Sequence, residues 1–339
     1  MVANQPDSLI NFLGQAMAAR ADLIDPGHKG ALRLFNGFYE GNPGLVVDLY
    51  ATTQVLYSYL ESPEESHALL QIAQDYGLQS LPWIECIVQK IRNSEKPAER
   101  RGSITYGRVP AEKIQENGVW YGINLLINQD TGFYLDTCHL RQWLRENSSG
   151  RSVLNLFAYT GSLGVAALAG NASHVIQVDK NEKVLQFALR SCSLNQLDQD
   201  NMTLVTDDFF RAVAHYKHAG ELFDLVIVDP PFFSKTPMGV IDLVNESQQV
   251  INKIRPLVKD NGFIIAINNA LFLSGTDYWL SLNNLCQDGY LSIEGTIPVP
   301  SDVTGFSQTI QTPPPVDPTP FNHPTKIAIL RVKRKASKV

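Results

Sequence analysis

The sequence predicts an α/β fold: a doubly wound, mostly parallel, seven-stranded sheet in the second half of the chain, preceded by a smaller N-terminal α+β domain. Three observations lead there. After Arg151, strand-like and helix-like patterns alternate five times. The strands are nearly continuous apolar runs, as in Leu222–Val228 (Leu-Phe-Asp-Leu-Val-Ile-Val), which suits parallel strands covered on both faces. Before Arg151 the strands are short, set among turn residues and two helical patterns. The domain boundary is expected between residues 118 and 119, giving 1–118 and 119–339.

In order along the chain, Leu9, Ile10, Leu13, Met17 and Leu23 recur at helical spacing over Asp7–Ile24. Strands are expected at Ala31–Phe35, Gly44–Leu49 and Gln54–Leu60, the first two separated by the turn-rich Asn36–Pro43. A helix opens at Pro63 and runs to about Tyr76, and Glu85–Ile91 is a further strand. The second half then reads as strand Ser152–Phe157, helix Leu163–Ala169, strand His174–Asp179, helix Glu182–Asn195, strand Met202–Val205 and helix Phe209–Lys217. Strand Leu222–Val228, a helix near Val244–Val258 and strand Phe263–Asn268 follow, with closing strands near Tyr290–Pro298 and Lys326–Val332. Between the last two lies a Pro-rich stretch (Pro300, Pro313, Pro314, Pro315, Pro318, Pro320, Pro324), long enough to be either functional or disordered.

The 339 residues are 44% hydrophobic and 18% charged, an ordinary globular balance with length for two domains. No apolar run approaches the roughly 20 residues of a spanning helix, so no membrane is expected. Met1–Ser8 lacks the basic cluster of a signal peptide, and the expected address is the cytoplasm. Cys86, Cys138, Cys192 and Cys286 are scattered, which predicts neither disulfides nor a metal site. The net charge of −6 does not advertise a nucleic-acid binder. Yet Lys90, Arg92, Lys96, Arg100, Arg101, Arg108 and Lys113 cluster against only three acids, and Arg331, Lys333, Arg334, Lys335 and Lys338 crowd the last nine residues. Such runs are either solvated faces or contacts to a polyanion.

Ligands of open α/β sheets bind beyond the carboxyl ends of the strands. The first such strand ends in Asn155-Leu156-Phe157-Ala158-Tyr159-Thr160-Gly161, followed by Ser162-Leu163-Gly164. Gly161 lets a turn pass close under a ligand, and the helix start offers unpaired amides. The GxGxxG dinucleotide pattern is absent, which argues against nicotinamide or flavin chemistry. The second strand ends in Asp179, where a carboxylate can accept from both hydroxyls of a ribose. Asp207-Asp208 follow the third strand, where a carboxylate can accept from an adenine amine. The fourth ends in Asp229-Pro230-Pro231-Phe232-Phe233. Each piece also has a plain structural use, since Asp caps helices and Pro ends strands.

Taken together, Val153–Gly161, Asp179, Asp208 and Asp229–Phe232 resemble the successive motifs of class I S-adenosylmethionine methyltransferases, whose domain is Rossmann-like. Thr131-Gly132-Phe133-Tyr134-Leu135-Asp136, Asn155–Gly161 and Asp229-Pro230-Pro231 further resemble a bacterial family that methylates bases of large-subunit ribosomal RNA, cytosine carbon-5 and guanine ring-nitrogen-7 enzymes among them. Leu32–Asn36 and Gly44–Asp48 are similar to the small central domain of the cytosine enzymes. The likeness spans about Ala31–Val332, without a counterpart of the PUA domain some members carry.

The resemblance implies S-adenosylmethionine as cofactor and RNA as partner. Phe133 and Tyr134 would close over the cofactor, and Asn155, Phe157, Tyr159, Thr160 and Gly161 would line its pocket. Asp179 would hold the ribose, with Asp208, helped by Asp207, reading the adenine. Asp229, Pro230, Pro231 and Phe232 would face the methyl acceptor, Asp229 also bordering the cofactor, while Phe233 is expected to pack inward. Lys90, Arg92, Arg100, Arg101 and Arg108 are the candidate RNA contacts.

Carbon-5 methylation of cytosine needs a cysteine thiolate that adds to the ring. The strand ends that carry it in such enzymes here hold Asp229-Pro230-Pro231 and Asn268-Asn269-Ala270, so a nitrogen acceptor is favoured and Cys138 is the one cysteine expected near the pocket. Two other readings stand beside RNA methylation. One is a methyltransferase for a small molecule or protein, and the other a cofactor-binding module without catalysis.

Overall fold

The computed structural model describes residues 6–236 and 238–334, so Lys335 and Lys338 of the basic tail lie outside the described residues, as do residues 1–5. The chain divides into two compact units: residues up to Asp136 with Pro300–Pro314, and Thr137–Val299 with the residues from Pro315 onward.

The first unit holds a five-stranded sheet ordered β1(Ala31–Asn36)-β2(Leu45–Tyr50)-β3(Thr53–Ser58)-β4(Cys86–Ile91)-β5(Ser103–Tyr106). β3 and β4 are parallel, joined through the helix Pro63–Ser80, and the other neighbours are antiparallel. That helix starts where the sequence places it: Ser62 accepts from the Glu65 amide and Pro63 fills the first turn. Leu9, Leu13, Ala16 and Met17 of the helix Pro6–Ala19 pack with Leu34, Leu56 and Leu70. A separate hairpin, β6(Lys113–Glu116) and β7(Val119–Gly122), turns on Asn117 and Gly118, both at positive φ (50° and 79°). This is the primed two-residue turn that Asn-Gly favours. The expected boundary at 118/119 would cut this hairpin, and the division falls instead after Asp136.

Part of the Pro-rich stretch is built into the first unit. Buried Arg20 makes two bonds to Glu40 (2.9 and 3.0 Å) and donates to the Asp302 carbonyl (2.8 Å). Asp302 Oδ2 accepts from the Arg33 amide (2.8 Å), and Arg33 pairs with Asp48 (2.7 Å). Buried charges persist only when paired in this way.

The second unit is the expected seven-stranded sheet, ordered β10(Met202–Thr206)-β9(His174–Asp179)-β8(Ser152–Leu156)-β11(Phe223–Val228)-β14(Val258–Asn268)-β16(Lys326–Val332)-β15(Leu291–Ile297). Strands β8 to β11 and β14 are parallel, while β16 runs antiparallel to both neighbours. Val153, Leu154, Leu225, Val226 and Ile227 are fully buried, as continuous apolar strands should be. A hairpin the sequence reading missed, β12(Phe233–Thr236) with β13(Gly239–Asp242), follows the Pro-Pro pair. The helix expected at 244–258 is confined to Ser247–Ile254, because Asp242 accepts the Val244 and Asn245 amides in a turn and Pro256 ends the far side. Helices Cys138–Asn147 and Gly275–Cys286 were also unforeseen.

Candidate functional site

Strand β8 is the topological switch of the second sheet. The chain goes from it to β9 and β10 on one side, then to β11 and β14 on the other. The crevice beyond the carboxyl ends of β8 and β11 is therefore where a ligand of this fold sits.

The turn after β8 is unusual. Phe157, Tyr159 and Gly161 all have positive φ (60°, 52° and 76°). For an aromatic residue this costs about 1 kcal/mol or more and persists only where neighbours impose it. The neighbours are visible. The Ala158 amide donates to the Val178 carbonyl (2.9 Å), Tyr159 N to Asp179 Oδ2 (2.9 Å), Gly161 N to the Ala158 carbonyl (2.7 Å), and Gln177 Nε2 to the Gly161 carbonyl (2.8 Å). A Cβ on Gly161 would also lie 2.6 Å from Ala188 Cβ and 2.7 Å from Gln177 Nε2. Its glycine thus answers the backbone geometry and the packing against β9 and the helix Glu182–Leu194. The helix Ser162–Ala169 that follows has no side-chain cap, which leaves its first amides to a ligand or water.

Asp179 sits at the end of β9, half-buried, with Oδ2 receiving the Tyr159 amide and Oδ1 the Asn181 amide (both 2.9 Å). A carboxylate offers about four acceptor positions. Two stay available, the number a ribose diol needs. Asp208 caps the helix Phe209–Ala219 through Oδ1 on the Phe210 amide (2.9 Å), and its Oδ2 takes no hydrogen bond among the described residues. Asp207 pairs with Arg211 (2.9 Å) and accepts the Asp208 amide. The pair therefore divides its work: Asp207 steadies the turn, and Asp208 caps the helix with one oxygen and leaves the other open. These acceptors fit the sugar and base of S-adenosylmethionine.

The other expected lining residues differ in their surroundings. Asn155 is 1% exposed, its Nδ2 bonded to Gln177 Oε1 (2.7 Å), so it links β8 to β9 rather than facing the crevice. Phe157 stacks on Phe209 at 4.9 Å, Tyr159 is half-buried and Thr160 is buried. Phe133 and Tyr134 belong to the first unit. There Phe133 is buried against Tyr121, its carbonyl accepting from Tyr50, while Tyr134 is exposed.

At the end of β11 the Asp229 amide reaches the Leu156 carbonyl (3.4 Å), which sets the Asp-Pro-Pro corner beside β8. Asn269, just past β14, donates from Nδ2 to the Pro230 carbonyl (3.2 Å). Asn268 donates to the Leu243 carbonyl (3.0 Å) and accepts the Ala270 amide (3.0 Å). Buried Lys326, opposite Asn268 in the β14–β16 ladder, holds the Ala270 and Pro324 carbonyls (3.0 and 2.6 Å), and burial pushes its ammonium down to about 8. This brace was not foreseen beyond noting the two asparagines. Phe232 is exposed as a base-stacking role requires, and Phe233 is 57% exposed, against the expectation that it packs. Phe233 stands on the outer face of β12, opposite Asp242, whereas Ile241 on the inner face is buried.

The basic cluster of the first unit is corrected in part. Lys90 is fully buried, bonded to the Asn128 and Asp130 carbonyls (both 2.7 Å), and burial lowers it to about 7, so it cannot meet RNA. Arg92 donates to the Gln129 carbonyl and Arg100 to those of Ser94 and Glu95. Arg101 and Arg108 remain exposed, flanking the wholly exposed edge strand β5. Among the described residues no group of acids, Cys and His could hold a metal, and no helix is long and apolar enough to cross a membrane.

Comparison with known proteins agrees with this geometry. A family model for S-adenosylmethionine-dependent methyltransferases matches residues 98–285. The ribosomal RNA large subunit methyltransferase I of Aeromonas salmonicida is 33% identical over 237 residues, covering 68% of this chain and 58% of the relative. The protein of the same name from Yersinia pseudotuberculosis is 35% identical over 225 residues, covering 66% and 57%. The chain thus spans under two thirds of the curated relatives it matches. SMU.776, solved complexed with SAH, superposes with a TM-score of 0.84 at 23% identity over 98% of this chain and 83% of that one. A SAM-dependent methyltransferase from Agrobacterium tumefaciens gives 0.60 at 16% identity, over 90% of each chain. At those identities the two structures speak for the fold alone. With acids at successive strand ends of a sheet in this order, and a family model covering more than half its length, the chain belongs to the S-adenosylmethionine-dependent methyltransferases.

Proposed function

We propose that this protein transfers the methyl group of S-adenosylmethionine to a base of large-subunit ribosomal RNA, at a nitrogen. The single observation that carries the acceptor side is the Asp229-Pro230-Pro231 corner, a carboxylate beside carbonyls, braced by Asn269 at the end of β14. Such a corner accepts N–H hydrogens, and an amine or ring nitrogen brings its own lone pair, so the site needs only to position it. When bound, the cofactor supplies an electrophilic methyl group. Asp179 accepts from its ribose, Asp208 from its adenine amine, and the uncapped start of the helix Ser162–Ala169 receives its carboxylate.

The cysteines support a nitrogen acceptor. Burial pushes the Cys86 and Cys286 thiols up and that of Cys192 to about 11, away from thiolate chemistry. Cys138, at the start of the helix Cys138–Asn147, is on neither strand end. RNA as substrate is favoured by the named activity of the relatives and by Arg101, Tyr106 and Arg108, all exposed around β5. A cytoplasmic address follows from that substrate. Mass spectrometry of nucleosides from large-subunit ribosomal RNA, with and without this gene, tests the reading. One methylated base should vanish in the deletion, and an unchanged nucleoside profile would reject the reading.

A further inference from the structure

Exposed apolar side chains gather beside the acceptor corner. Phe233, Lys235 and Val240 share the outer face of the β12–β13 hairpin, since Phe233 pairs with Asp242 and Lys235 with Val240 across the ladder. Phe233 is 57% exposed and Val240 42%. The inner face carries Ile241, buried, and Gly239, where a Cβ would fall 2.6 Å from the Phe210 ring, so the hairpin is seated firmly. Just past β14, Leu271 is 51% exposed and Phe272, at 73%, is the most exposed large apolar side chain among the described residues. Asn268 and Asn269 tie these two segments together through the Leu243 and Pro230 carbonyls, while the Leu243 amide reaches the Phe232 carbonyl (3.2 Å).

The chemistry of this patch selects its occupant. Lys235 is exposed and makes no ion pair among the described residues, whereas the Asp242 carboxylate is engaged by the Val244 amide and by the amide and side chain of Asn245. The outer face therefore pairs an aromatic ring with an ammonium that forms no ion pair among the described residues. Rings stack on bases and the ammonium meets a phosphate, a combination suited to single-stranded nucleic acid; the bases of a duplex are already stacked.

We propose that this outer face, together with Phe272 in the segment past β14, is a stacking platform for the unpaired RNA bases that flank the nucleotide being methylated. The proposal rests on the RNA reading above and adds to it that the target lies in an unpaired segment. The platform reaches the acceptor corner through the two asparagines, so a strand laid on it delivers the next base to Asp229–Phe232.

The test compares wild type, a Phe233→Ala/Phe272→Ala double variant and Lys235→Met by fluorescence anisotropy, using single-stranded oligoadenylate and an RNA duplex of equal length. Calorimetry with S-adenosylmethionine checks that each variant is folded. Wild type should prefer the single strand, the double variant should lose about tenfold or more on it, and Lys235→Met should reduce the salt slope by about 0.7. Cofactor affinity should not move in any variant. Undiminished single-strand affinity in the double variant, while wild type still methylates ribosomal RNA, would overturn the platform and leave the RNA reading standing. A wild type that neither binds nor methylates RNA would remove both. Loss of self-association in the double variant, with RNA affinity intact, would also overturn the platform and make the patch a protein interface.

Discussion

The two ends of the crevice are built by different means. At the end of β9, Asp179 is fixed by backbone amides of its own and the neighbouring turn, from Asn181 and Tyr159, and the turn is itself closed by main-chain bonds. At the end of β11, the Pro230 carbonyl is held by a side chain 39 residues away, and the Ala270 carbonyl by Lys326, 56 residues away. A backbone-built end suits a constant ligand, whereas a side-chain brace can be altered residue by residue without unmaking the sheet. On the proposed reading, acceptor choice would be encoded in Asn268, Asn269 and Lys326 as well as in the Asp-Pro-Pro turn.

The sharpest way to break the comparison is to injure each end separately. Asp229→Ala should lower kcat by about a hundredfold with little change in cofactor affinity, because it orients the acceptor. If instead the cofactor constant alone moved, the two ends would have been assigned the wrong way round. Asp179→Ala should do the opposite, weakening cofactor binding in calorimetry by about 1–3 kcal/mol as the ribose hydroxyls and two backbone amides lose their acceptor. A smaller effect is expected from Asn269→Ala: kcat reduced by about five- to tenfold through a loosened Pro230 carbonyl, with cofactor affinity kept. A parallel fall in thermal stability and in cofactor affinity would make Asn269 merely structural. Cys138→Ser should change activity by no more than about threefold. Collapse of its activity, or a covalent complex with 5-fluorocytosine RNA, would restore carbon-5 chemistry.

The same contrast explains what the sequence disclosed. Interactions local in the chain were legible: the apolar runs of β8, β9 and β11, the acid closing β9, and the helix start at Pro63. Asn117-Gly118 carried a hairpin signal that went unread, and with it the division between the units. The helix Gly275–Cys286 was missed although Ser274 caps it and Tyr278, Trp279, Leu282, Leu285 and Cys286 recur at helical spacing on its core face. Non-local facts were out of reach. Charge at Lys90 suggested a surface, but only the fold shows its ammonium sealed between two carbonyls. Likewise no spacing rule reveals left-handed Phe157 and Tyr159, which tertiary bonds impose on residues that disfavour that geometry.

Methyl transfer itself is the most direct test. Purified protein is incubated with S-adenosylmethionine labelled in its methyl group and with large-subunit ribosomal RNA from a strain lacking the gene. The RNA is then digested and the labelled nucleoside identified by mass spectrometry. Label should appear on a nitrogen of a single base with the wild-type protein and be lost with Asp229→Ala. Label confined to protein or small molecules, or placed on cytosine carbon 5, would contradict the account.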